Sequence, residues 1–475
     1  MKRPTRLVFV SSVLAVVPFF ACEDSSSNNN ASFDAGSFDS AFVPPDGSVT
    51  DAPPVDAPAD TTPSDTATVV VTKGGAPSAG VAVVFEDAAG NLVGTATTGA
   101  DGKATNPVVA GSQITVALGV AGSRQLITYL GVKPGDVINV VERASRDVSI
   151  TLAATPPPGG GTIVTAGNPN CSTNTVGTSV LVSLTPDCIT GPTFPVLASL
   201  SSNGTPYFSF KQGNSPAASG TTTVTGLSAW APGTNFTLSV TNAPSIALAS
   251  TSAYLGAIAN NQSATQSPFS SFSLDAGAGE ASFSVPTGYA DAYQGEVQYT
   301  SYSGSYQQVH SFSKRIAGGA AVTSQTLDLA AGVLPTLLTL VASNGGGARP
   351  TVTWTASASL ATTDSGVVTL PFLQPIDAGY DNVEWTFIVP PGTLTVTAPQ
   401  LPAQLKAFEP SNTSILQSPS AAFFESDVIP GYDIVRQQAA ASGLAKVPVG
   451  SFSNLVTPAL PANGTLRITA ITYGG

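Results

Sequence analysis

From Thr66 onward the chain is cut into short apolar runs, about 8–12 residues apart, by Gly, Pro, Asn and Asp. That rhythm of strands and tight turns leaves little room for helices. Thr68–Thr72 (TVVVT), Val81–Glu86 (VAVVFE), Leu92–Thr98, Ile114–Leu118, Leu126–Val132, Val137–Val141 and Val148–Leu152 follow one another without a helical period. Ala88-Ala89-Gly90-Asn91 and Ala100-Asp101-Gly102-Lys103 supply hairpin turns. Further on, Tyr207–Lys211, Thr221–Thr225, Phe236–Val240, Ala281–Val285 and Glu296–Tyr302 alternate in the same way. Leu334–Ala342, Thr351–Thr355, Val367–Pro371, Asn382–Val389, Thr393–Ala398 and Leu466–Tyr473 extend the pattern to the end. Composition agrees: Gly (46) and Pro (38) are plentiful, and only 10% of residues are charged where roughly 25% is usual. The expected fold class is all-β, as tandem β-sandwiches, with one short helix near Val435–Ala441.

Residues 67–154 are expected to form the first sandwich and the Pro/Gly run at 155–162 a linker. Residues 163–329 and 330–475 are expected to form two more. In the second, a turn at Ser303–Ser305 would fold Glu296–Tyr302 onto Tyr306–Phe312, placing Val297, Tyr299, Tyr306, His310 and Phe312 on one face.

The N-terminus is of another kind. Lys2, Arg3 and Arg6 precede an apolar run from Leu7 to Phe20, then Ala21 and Cys22. A run this short after a basic start reads as a secretory signal peptide, residues 1–21, and not as a membrane span. Ala21-Cys22 resembles the lipobox of bacterial lipoproteins, although Phe19 and Phe20 stand where that family usually has Leu and a small residue. The resemblance implies that Cys22 becomes the lipidated N-terminus, with the membrane as partner and the bacterial envelope, at the outer membrane or cell surface, as location. The bare alternative is an ordinary signal peptide that leaves Cys22 a spare thiol. Residues 22–66 contain no Lys or Arg, and acids recur among Pro, Ala, Ser and Gly. That composition is expected to form a disordered acidic tether.

The run GAPSAGVAVVFEDAAGNLVGTATTGADGKAT, from Gly75 to Thr105, resembles the carboxypeptidase regulatory-like domain and also bacterial Ig-like domains. Pro107–Gly111 departs from the Pro-Gly-x-Tyr turn usual in the former. The resemblance implies an Ig-like or prealbumin-like sandwich serving as a spacer or binding module.

Function is narrowed mostly by elimination. The formal charge of −12 falls to about −15 once the signal peptide is removed, which argues against nucleic acid as a partner. His310 is the only histidine, and no G-x-S-x-G elbow exists to pair with it. Cys171 and Cys188 have no His beside them to complete a metal site, so a disulfide worth roughly 3 kcal/mol is the expected use of the pair. No cofactor fingerprint is present and no metal is expected. Carboxylates remain: Asp381/Glu384, Glu425/Asp427 and Asp291/Glu296 are close pairs, while Asp87 and Asp101 lack an EF-hand loop. Tyr289, Tyr293, Tyr299, Tyr302 and Tyr306 are candidate binding aromatics for a glycan or protein, or else plain strand residues. Two readings stand. One is a non-catalytic spacer and adhesion-like binding module for a protein or glycan. The other is a secreted carbohydrate-active enzyme using a carboxylate pair beside an accessory sandwich.

Overall fold

A computed structural model describes residues 65–473, except 185–192, 439–462 and a set of stretches of one to four residues. Among the described residues there are four sandwiches of eight strands each. Sandwich I holds β1 (Thr66–Lys73), β2 (Ala76–Pro77), β3 (Ala82–Glu86), β4 (Leu92–Thr97), β5 (Lys103–Pro107), β6 (Ser112–Val120), β7 (Ser123–Val132) and β8 (Val137–Glu142). Sandwich II holds β9 (Arg146–Thr151), β10 (Thr162–Ala166), β11 (Ser172–Thr175), β12 (Ser179–Leu184), β13 (Phe194–Ser202), β14 (Thr205–Asn214), β15 (Thr222–Val224) and β16 (Ala231–Pro232). In sandwich III are β17 (Thr234–Thr241), β18 (Ser250–Ala259), β19 (Gln262–Gln266), β20 (Ser270–Ser271), β21 (Gly279–Val285), β22 (Ala292–Ser303), β23 (Tyr306–Ala317) and β24 (Ser324–Asp328). Sandwich IV follows with β25 (Leu337–Ser343), β26 (Thr351–Ala356), β27 (Ser365–Ile376), β28 (Gly379–Val389), β29 (Thr395–Thr397), β30 (Ile415–Leu416), β31 (Ser420–Ser426), helix α1 (Tyr432–Gln438) and β32 (Thr465–Tyr473).

The all-β tandem arrangement is as expected, but its borders differ. Val148–Leu152 is read from sequence as the last strand of the first sandwich. In the structure β9 pairs antiparallel with β12 and parallel with β15, and Val148 and Ile150 enter the core of sandwich II. The Pro/Gly run is therefore a loop inside sandwich II, where a Cβ on Gly159 would lie 2.5 Å from the Ser201 carbonyl oxygen. Residues 163–329 also contain parts of two sandwiches, because β10–β16 pair in the sheets of II and β17–β24 in those of III; Leu197 and Phe208 of II reach across into the core of III. Gly and Pro mark a turn whether it lies within a domain or between two.

The larger departure is that three sandwiches share one sheet. Its strand order is β19-β18-β22-β23-β32-β31-β27-β28-β7-β6-β3-β4, so sandwich IV joins III at one edge and I at the other. β23 pairs antiparallel with β32, and β28 pairs parallel with β7 over Val383↔Arg124 to Ile388↔Tyr129. Where both faces of this sheet are covered, its strands are buried almost without interruption. Ile114, Val116, Ile127, Tyr129, Ile388 and Phe424 share one core with residues of β1, β5, β8 and helix α1. On the other side Val84, Ala117, Leu126, Trp385, Phe387 and Phe423 share a second core with residues of the small sheet β25-β26-β29. Strands buried on both faces lose the in/out alternation of a half-exposed sheet. Close packing demands glycine at Gly366, where a Cβ would come within 2.5 Å of the Phe423 ring.

Helix α1 lies three residues earlier than its expected start and ties sandwich IV back onto I. Arg436, 1% exposed, pairs with Asp136 at 2.7 Å, and Tyr432 Oη donates within reach of the Leu130 and Ile388 carbonyls at 2.7 and 2.9 Å.

The seam between β7 and β28 carries a buried polar chain. Trp385 Nε1 donates to Thr128 Oγ1 at 2.9 Å, and Thr128 meets Thr115 Oγ1 at 2.9 Å. Indole N–H is donor only, so Thr128 Oγ1 accepts from Trp385, and its hydroxyl shares one proton with Thr115 in the second bond. Trp385→Ala is expected to cost about 3–5 kcal/mol in urea unfolding followed by circular dichroism. Sandwich I should be lost together with IV, and a separate, unshifted transition for sandwich I would contradict the shared sheet.

Candidate functional site

The N-terminal ends of β7 and β28 begin side by side, and a cleft of about 500 Å³ opens beside them between sandwiches I and IV. The tip of the β6–β7 hairpin forms its upper rim. Gly119 and Gly122 take φ of 80° and 97°, left-handed values that suit glycine. Gly122 N–H donates to Asp381 Oδ1 at 2.7 Å, and Arg124 forms an ion pair with the same fully buried carboxylate. The Arg124 guanidinium also lies over the Phe408 ring, 5.5 Å from its centroid. One wall is Lys73, Glu142 and Leu118–Val120; the facing wall is Pro371, Phe372, Asn382, Val383, Glu384 and Gln417, with Gln125 on the seam.

The charges of the cleft are already engaged. Lys73 Nζ reaches Glu142 Oε1 at 2.8 Å, and Ser78 Oγ donates to Glu142 Oε2 at 2.7 Å. Burial pushes the Glu142 carboxyl up, but the hydrogen bonds from Lys73 and Ser78 and the nearby ammonium charge outweigh it and hold it below the usual carboxylate range. Gln125 Nε2 donates to Glu384 Oε1 at 3.2 Å. No lining residue is Ser, Thr, Cys or His, so the wall offers hydrogen bonds without a thiol, hydroxyl or imidazole.

The residues singled out from sequence are placed as follows. Cys22 and Cys188 lie outside the described residues; Cys171 is buried in the core of sandwich II. The five tyrosines do not form a surface. Tyr289, Tyr293 and Tyr299 are core residues of sandwich III, Tyr306 is half-buried with its hydroxyl donating to the Leu340 carbonyl, and Tyr302 alone is exposed. The expectation of a binding patch there is corrected: a Tyr in a two-sided sheet looks the same in sequence whichever face it occupies. The hairpin itself is as expected, with Tyr299 opposite His310 and Val297 opposite Phe312.

The acid pairs separate. Asp381 holds Arg124 while Glu384, on the same strand, enters the cleft. Glu425 pairs with Arg467, and Asp427 accepts from the backbone N–H and hydroxyl of Thr465. Glu296 is buried and accepts from Ser311 Oγ at 2.7 Å. Asp87 accepts from the Ala89 and Asn91 N–H groups and from the Asn91 amide, so it closes its own turn; Asp101 accepts from Lys103 N–H. Among the described residues no group of three or more His, Cys, Asp or Glu is placed to hold a metal ion, and no helix is long and apolar enough to cross a membrane. Sequence reasoning missed Lys73, Arg124, Gln125, Glu142, Asn382 and Gln417: the β1–β8 pairing sets Lys73 against Glu142, Gln417 N–H donates to the Pro371 carbonyl, and the parallel β7–β28 pairing brings the two walls together.

Opposite faces of the β22–β23 hairpin carry two groups that titrate abnormally. Burial raises Glu296 from 4.5 to about 7, against hydrogen bonds from Ser311 and Ser313. Burial lowers His310 from 6.5 to about 4; its Nε2 meets Thr336 Oγ1 at 3.1 Å. The folded protein binds the extra proton at Glu296, so that group lowers stability as pH rises from 4.5 to about 7. It lacks the proton at His310, so that group lowers stability as pH falls from 6.5 to about 4. The trends oppose each other between 4.5 and 6.5. Glu296→Gln should therefore expose the histidine slope, with urea midpoints rising from pH 4.5 to 6.5; an unchanged pH profile would refute these assignments.

No family model matches the chain, and no curated protein matches it. Among solved structures, a streptococcal ancillary pilin is similar at 8% identity and TM-score 0.12, over 59% of this chain and 89% of the pilin chain. E. coli alpha-2-macroglobulin is similar at 10% identity and TM-score 0.11, over 74% of this chain and 26% of its own. Likeness at these scores carries no argument about function.

Proposed function

We propose that this chain is a lipoprotein of the bacterial envelope, held by an acylated Cys22, whose sandwiches act as a non-catalytic spacer and binding module for a protein or glycan. The observation that carries the reading is how the reactive side chains are used. Asp381, Glu425, Asp427 and His310 each serve a structural bond, and the sheet shared by sandwiches I, III and IV makes one platform of them. The anchor rests on the sequence: a basic start, an apolar run and a cysteine after Ala21. Acyl chains contribute about 0.8 kcal/mol per buried CH₂, so a multiply acylated cysteine binds a membrane durably. Cys171 and Cys188 would form a bridge within sandwich II; the burial of Cys171 supports this.

The carbohydrate-active alternative has one observation in its favour: Glu142 and Glu384 line the same cleft. A glycosidase pair needs one carboxyl raised so that it carries a proton at working pH. Against the alternative, both oxygens of Glu142 are already taken, Oε1 by Lys73 and Oε2 by Ser78.

Fatty-acid labelling in the native host tests the anchor. The wild-type chain should carry label in the membrane fraction, and Cys22→Ser should be unlabelled. An unlabelled, freely secreted wild-type chain would overturn the reading.

A further inference from the structure

We propose that the cleft between sandwiches I and IV is a binding site for a short neutral oligosaccharide, an inference that rests on the binding-module reading and names its ligand class. The first argument is charge. Lys73 is matched by Glu142 and Arg124 by Asp381, leaving Glu384 with a hydrogen bond from Gln125. A phosphate, sulfate or carboxylate ligand would find its cations already neutralised, and a cationic ligand would find only Glu384.

The second argument is hydrogen-bonding type. Asn382 and Gln417 are exposed amides, each offering two donors and an acceptor, and they stand on the wall that faces the Lys73–Glu142 pair. A sugar hydroxyl donates and accepts at once, which matches a wall of amides and fixed charges. The third is the apolar surface: Val120 is 76% exposed at the rim, and the half-buried Pro371 stands on the facing wall. The C–H face of a pyranose ring suits such a surface.

The site is also held in place before anything binds. Asp381 and the Phe408 ring fix Arg124, Glu384 fixes Gln125, and Ser78 with Lys73 fixes Glu142. Groups already ordered lose little entropy on binding. The volume of about 500 Å³ falls within the range of small-ligand sites.

The test uses the mature full-length chain and isothermal titration against neutral oligosaccharides of glucose, mannose, galactose and xylose, beside uronic-acid and sulfated glycans and an unrelated extended peptide. A neutral oligosaccharide should bind with little dependence on salt. The double variant Asn382→Ala, Gln417→Ala, both exposed positions, should weaken it about tenfold or more with an unchanged melting temperature. Binding confined to anionic glycans or to the peptide, binding indifferent to the double variant, or no neutral saccharide bound would each overturn the site. Those results leave the anchored binding-module reading standing. Cleavage of the bound saccharide, abolished by Glu384→Gln, would support the site while overturning the non-catalytic reading.

Discussion

Everything distinctive in this molecule depends on the parallel pairing of β7 with β28. Strands from opposite ends of the chain lie side by side from Val383↔Arg124 to Ile388↔Tyr129, stitched below by Trp385 and Thr128 and at the open end by Arg124 and Asp381. Removing one member of such a buried ion pair costs about 3–5 kcal/mol, because the other charge is left without water or partner. The pairing turns sandwiches I and IV from neighbours into one sheet, and β23 with β32 extends that sheet into III.

Closing a sheet across so long a chain has physical consequences. Contacts this remote in sequence must be formed against loop entropy, so folding should be slow relative to a single sandwich. The reward is a sheet apolar on both faces, with the buried Asp381 committed to holding β28 against the β6–β7 hairpin. The cleft arises where the seam begins, because strands that start together leave polar edges, hairpin tips and exposed amides around a common opening.

Much of this was legible residue by residue. Alternation in TVVVT and VAVVFE locates β1 and β3, and the turn at Ser303–Ser305 fixes the β22–β23 register. Allegiance was not legible. Val148–Leu152 looks the same whether it closes sandwich I or opens II, and only its partners decide. One signal is present in β27, where Gly366–Leu373 is broken by a single threonine and is too continuous for a half-exposed sheet, as a strand covered on both faces should be. The cleft had no local signature at all, since Lys73, Arg124 and Glu384 meet only in three dimensions.

The most direct test is native-state hydrogen exchange across the seam. If β7 and β28 are one sheet, the slowest amides of Leu126–Tyr129 and Trp385–Ile388 should open with the same free energy, equal to that of global unfolding. Exchange of the β7 amides through a distinctly cheaper opening, with β28 still protected, would contradict the account.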